Sequence, residues 1–241
     1  MESLFPIFKK DSLRDNQFYF LGNGFFIDKF GNFVTAGHVL NSKEDLYVGF
    51  LNDENYELYP IKKYKIKYKK IYGVREYTES IIRDKHIYQH GPEYKDIAIG
   101  HIEKSNTPYY VFTKKRPLDN EFLRSIYYGR NKNLPKMIEL VNFKIPGKFI
   151  EQMESHYILP NRLKLAEIPF ELFPYNKINF YNNCIVVNGN SIKGSSGSPV
   201  INQKNQIVGI IIGGDKIKGK TILLLSRYIL KKVRKMIKEI N

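Results

Sequence analysis

The chain has 241 residues, and 39 Lys and Arg against 24 Asp and Glu leave it with a formal charge of +15. A hydrophobic share of 42% and an aromatic share of 14% give enough apolar material for a sizeable core and exclude wholesale disorder. The single cysteine, Cys184, excludes an intramolecular disulfide framework and any zinc or iron–sulfur site built on several thiolates. Taken from the start, Met1 to Gln17 carries Glu2 and only a short apolar patch before Lys9, Lys10 and Asp11. It lacks a secretory h-region, so a cytoplasmic setting is expected. No later run approaches the ~18 uncharged apolar residues that cross a bilayer, so no membrane span is expected. Lys is abundant together with Ile, Asn and Tyr, as an A+T-rich genome would encode, so the net charge does not by itself predict binding to nucleic acid.

Gln17–Ile27 is aromatic and interrupted by Gly22 and Gly24, Asp28 to Gly31 reads as a turn, and Asn32–Ala36 resumes an extended pattern; together they predict a hairpin. Further strands are predicted at Leu46–Leu51, Lys62–Lys69, Ile97–Ile102, Tyr109–Thr113, Met137–Phe143 and Tyr157–Ile158. Others follow at Cys184–Val187, Ser198–Ile201, Ile207–Ile212 and Thr221–Leu225. Many short strands and frequent turns point to barrels or a sandwich. Lys62 to Lys70 alternates Lys with Tyr and Ile, which suits a solvated edge strand. From Ser226, a candidate cap, Ile229, Leu230, Val233, Met236, Ile237 and Ile240 fall on one helical face while lysines and Arg234 take the other. The pattern lapses around Glu103–Asn120, which divides the chain into 1–108, 109–225 and the terminal helix 226–241.

Three segments carry chemistry. Thr35-Ala36-Gly37-His38 puts a histidine at a small-residue corner after a strand. Asp96-Ile97-Ala98-Ile99 puts a carboxylate at the start of one, where burial is costly unless a charge or donor meets it. Gly194-Ser195-Ser196-Gly197-Ser198-Pro199 sets serines between glycines, and a strand follows directly. Gly194 permits a backbone conformation in which the N–H groups of Gly194 and Ser196 point at one oxygen. His86, His90, His101 and His156 form no metal-binding pattern, so no metal and no cofactor are expected.

In that order, the three segments resemble the chymotrypsin/HtrA-like trypsin-type serine peptidases. The resemblance implies a mainly β, chymotrypsin-like double β-barrel with a C-terminal amphipathic α-helix. The first barrel (1–108) would carry His38 and Asp96, and the second (109–225) Ser196. It implies Ser196 as nucleophile, His38 as general base and Asp96 as its orienting carboxylate, with the amides of Gly194 and Ser196 as oxyanion hole. Asn190 would sit at the base of a specificity pocket walled by Ile212, Gly213 and Gly214, and with no acid there a strong preference for Arg or Lys is not expected. Ser195 stands where secreted trypsins carry the aspartate that pairs with a clipped N-terminus, so activation by clipping is not expected. Ser198 replaces the family's second glycine. The implied partners are a protein or peptide substrate and a regulatory protein, as for effectors of bacterial stress or antiviral defence, with nucleic acid not expected. The competing reading is a catalytically silent module of the same fold that binds an acidic protein or nucleic acid through its basic surfaces.

Overall fold

The β-prone runs form strands in the computed structural model, which describes residues 3–13, 17–52, 55–67, 96–117, 121, 123–128, 138–139, 154–159, 183–188, 194–215 and 220–240. The first sheet is built from β1 (Leu4–Lys10), β2 (Gln17–Phe26), β3 (Asn32–Thr35), β4 (Leu46–Asn52), β5 (Asn55–Pro60), β6 (Lys63–Lys67) and β7 (Ile97–His101). Its order is β5-β4-β1-β2-β3-β7-β6, and β9 (Ile138–Glu139) adds to the start of β2. The second sheet comprises β8 (Leu123–Tyr128), β10 (Glu154–Leu159), β11 (Cys184–Asn188), β12 (Pro199–Ile201), β13 (Ile207–Asp215) and β14 (Lys220–Leu225). Here the order is β10-β8-β12-β13-β14-β11. All named strand pairings are antiparallel.

The aromatic strands explain where the core sits. Phe5 packs its ring 4.8 Å from Phe26, 5.4 Å from Phe33 and 5.3 Å from Phe50, so four strands of the first sheet meet on one ring cluster. Fully burying each such side chain contributes about 1.5–3 kcal/mol. α1 (Ser226–Ile240) lays Ile229, Val233, Met236 and Ile240 into the same core and packs on β6 and β7 of one sheet and on β13 and β14 of the other. Its polar face remains outside, where Lys65 of β6 reaches Glu239 at 3.6 Å. Among the described residues no helix is long and apolar enough to cross a membrane.

Two expectations are corrected, and three strands are added. Tyr109–Thr113 is extended but makes only an isolated bridge between Phe112 and Ile207. Its hydrogen bonds are divided, with Tyr110 N donating to Phe26 O while Val111 O and Thr113 N bond to Ile207, so no single ladder forms. The Ser226 hydroxyl, expected to cap the helix, donates to the Thr113 carbonyl at 2.6 Å. β1, β5 and β8 are strands that the sequence pattern did not predict. Of the expected strand at Met137–Phe143, only Ile138–Glu139 lies in a described strand, and residues 140–143 lie outside the described residues.

Candidate active site

Register brings the first two candidate groups together. β3 pairs with β7 through Asn32↔His101 and Thr35↔Ala98, and continuing that pairing sets Asp96 opposite Gly37, beside His38. A 3-10 turn over Gly37–Val39 follows β3 at once, closed by Val39 N donating to Ala36 O at 3.1 Å, and the His38 imidazole meets Asp96, the residue just before β7. Asp96, 3% exposed, uses both carboxylate oxygens on His38. Oδ1 accepts from the His38 amide at 2.8 Å and Oδ2 lies 2.6 Å from Nδ1. An ionised carboxylate only accepts, so Nδ1 carries the proton and Nε2 is left with its lone pair. Burial pushes the His38 pKa down, but the charge of Asp96 and its hydrogen bond outweigh that, and the net shift is upward. Cys184 is fully buried; burial first, and then the charge of Asp96, push its thiol far up, so it is an inert core residue.

The serine loop is pressed against this corner from the other sheet. Gly194 and Gly197 adopt φ of +99° and +84°, a region that favours glycine. At Gly197 a Cβ would lie 2.1 Å from Asn23 O and 2.3 Å from Thr35 Oγ1, so only a hydrogen fits. Gly22 is the matching point on β2, where a Cβ would lie 2.8 Å both from Ser196 O and from Val39 Cγ2. One glycine therefore separates the backbone of Ser196 from the residue after His38. Asn23 N donates to Ser196 O at 2.8 Å, Gly197 N to Ile211 O at 2.8 Å and Ile211 N to Ser198 O at 3.0 Å, which ties the loop to β2 on one side and β13 on the other. Among the described residues the amides of Gly194 and Ser196 bond no acceptor.

The remaining candidates are placed less uniformly. Ile212 sits at the irregularity between Ile211 and Gly213 in β13 and is buried in the core, 6% exposed. Gly213 faces open space, with nothing within 4 Å of an added Cβ. Gly214 pairs with Thr221, and Asn190 lies outside the described residues. Ser198 is fully buried and its hydroxyl has no partner among the described residues, a direct consequence of a serine in a glycine's place.

Sequence reasoning missed Asn23. It is fully buried in β2, and its side chain donates to Gly194 O at 2.7 Å and Tyr128 O at 2.9 Å and accepts from Tyr128 N at 2.8 Å. The available signal was an amide residue between two glycines in an otherwise aromatic strand.

With this geometry in hand, comparison with known proteins is specific. No curated protein sequence matches the chain. Its fold is similar to the Rv3671c protease from M. tuberculosis in its active form, at 13% identity and a TM-score of 0.60, covering 97% of this chain and 80% of that one. The inactive form of that protease matches at 15% identity and a TM-score of 0.56, covering 97% and 88%. The serine endoprotease from Yersinia pestis matches at 13% identity and a TM-score of 0.59, covering 98% of this chain and 63% of that one. The mainly β architecture is thus the chymotrypsin-like fold that the resemblance implied. The trypsin-like peptidase domain profile matches residues 22–210, from the glycine that abuts Ser196 to the strand behind the serine loop, so the chain belongs to the trypsin-like peptidase family and is a serine endopeptidase by class.

Proposed function

We propose that the chain hydrolyses peptide bonds of protein substrates through Ser196, His38 and Asp96, with the amides of Gly194 and Ser196 as oxyanion hole. The observation that carries this reading is the two-point grip of Asp96 on His38, at 2.8 and 2.6 Å. That grip serves general-base chemistry because it fixes both ring orientation and tautomer. Ser196 Oγ attacks the scissile carbonyl and its proton passes to His38 Nε2. The resulting imidazolium is stabilised by the adjacent carboxylate. Negative charge on the carbonyl oxygen meets the two amides, fixed dipoles of the loop that stabilise it in place of water. His38 returns the proton to the leaving amine, and water repeats the sequence to release the acyl group from Ser196.

The pocket of Asn190, Ile212, Gly213 and Gly214 is retained as the proposed specificity site. Control by a partner protein, in a cytoplasmic role in bacterial stress or antiviral defence, is proposed on the resemblance to such effectors, together with the absence at position 195 of the carboxylate that activation by clipping uses. A fluorophosphonate probe tests the central reading. Folded protein should be labelled, and the label should vanish in Ser196→Ala and in His38→Ala. Well-folded protein that takes no label overturns the assignment.

A further inference from the structure

We propose that Asn23 is the positioning residue that holds the oxyanion loop in its working shape, in place of any charge pair behind Ser195. This rests on the assignment of Ser196 and Gly194 above. Both residues whose amides would form the hole have their carbonyl oxygens bonded to Asn23: Gly194 O by Nδ2 at 2.7 Å, and Ser196 O by the backbone N–H at 2.8 Å. A peptide is planar, so pinning Gly194 O fixes the Ser195 N–H and pinning Ser196 O fixes the Gly197 N–H; Asn23 therefore brackets the peptide that carries the Ser196 N–H and limits the dihedrals on either side of it. The Ser195 carbonyl between them is held within the loop by Ser198 N at 3.1 Å. Rotation of any one of these peptides breaks a bond.

The side chain can meet these demands in only one orientation. Nδ2 donates twice, to Gly194 O and Tyr128 O, while Oδ1 accepts from Tyr128 N at 2.8 Å, so exchanging O and N would set oxygen against two carbonyls. The backbone is held as well, since Thr35 Oγ1 donates to Asn23 O at 2.6 Å. Thr35 ends the strand that leads into His38, so one residue of the first sheet spans the histidine strand, β8 of the second sheet and both ends of the hole. A residue needed for folding alone would have no reason to bond those two carbonyls in particular. The loop is thereby set by docking of the two sheets, with no cleavage needed.

Asn23→Asp is nearly isosteric and keeps an acceptor for Tyr128 N, but presents oxygen to Gly194 O. Asn23→Ser is the second variant, should the first not fold. Ser226→Ala, which removes a buried hydrogen bond to Thr113 O, is the control for lost stability alone. The folded Asn23 variant should lose about 10²-fold in kcat, the scale of one misplaced oxyanion donor, with KM within a few-fold, and binding of a peptide trifluoromethyl ketone should weaken by the same factor. Ser226→Ala should keep kcat. Unchanged kcat in a folded Asn23 variant overturns the proposal. If the wild-type chain takes no fluorophosphonate label, the nucleophile assignment fails by itself, and amide exchange over residues 194–198 then decides the Asn23 role. Faster exchange there in the Asn23 variants, with 222–225 unchanged, supports it; unchanged exchange overturns it.

Discussion

Asp96 binds His38 twice, Oδ1 to the backbone amide and Oδ2 to Nδ1, so the carboxylate fixes the position of the residue as well as the orientation of its ring. In Asp96→Asn one of those oxygens becomes an NH₂, and either the main-chain N–H or the ring N–H loses its acceptor. With the imidazole in the wrong tautomer, kcat should fall by about 10⁴ while the fold persists. Turnover of a peptide substrate beside far-UV circular dichroism checks this; a loss under tenfold contradicts the assigned role.

The upward shift at His38 sets the acid limb of activity. General-base catalysis needs the neutral ring, so kcat/KM should decline as pH falls through a value above the ordinary ~6.5, and in Asp96→Asn, where burial acts unopposed, that limb should move to lower pH. Stability runs with the opposite sign. A folded-state pKa raised above the unfolded one favours the protonated native state, so this contribution is complete below the unfolded value and disappears as pH rises through the folded one. Urea titrations on either side of that window should show stability falling with rising pH in the wild type and the opposite trend in Asp96→Asn.

Ser198→Ala should be neutral or stabilising by about 1 kcal/mol, because it removes a buried hydroxyl that has no partner among the described residues. Probe labelling should be retained. A destabilisation above about 1 kcal/mol in urea would mean that the hydroxyl is paired.

Gly197→Ala should disable the loop. The left-handed conformation costs a side chain about 1–2 kcal/mol, and the new carbon would collide with Asn23 O and Thr35 Oγ1 at 2.1 and 2.3 Å. A folded variant labelled at the wild-type rate would refute this. Gly213→Ala, which meets nothing within 4 Å, is the matched substitution that should leave stability unchanged.

How much was legible in the sequence follows from how local each signal is. The β2–β3 hairpin, β7, β13 and the helix face announced themselves by turn residues or periodicity within a single window. β1 did not, since Leu4 to Phe8 are buried without alternation and Pro6 interrupts the run. β8 reads Leu-Arg-Ser-Ile-Tyr-Tyr, whose buried Ser125 donates to the Pro199 carbonyl of a distant strand. Tyr109–Thr113 has strand composition, yet its hydrogen bonds go to two different sheets. At the site, the pairing of His38 with Asp96 was expected from the resemblance alone, because the β3–β7 register that produces it joins segments 58 residues apart. The clamp at Asn23 was not, because its partners lie 105 and 171 residues away and two of the three are backbone carbonyls that no side-chain pattern encodes.

Cys184 gives the molecule a built-in chemical reporter. It is the chain's sole sulfhydryl, it is completely shielded, and it feels the charge of Asp96. A thiol-modifying dye can reach it only when the interior around that carboxylate transiently opens. The modification rate therefore times the breathing of the interior beside Asp96 in unaltered protein, with no engineered label.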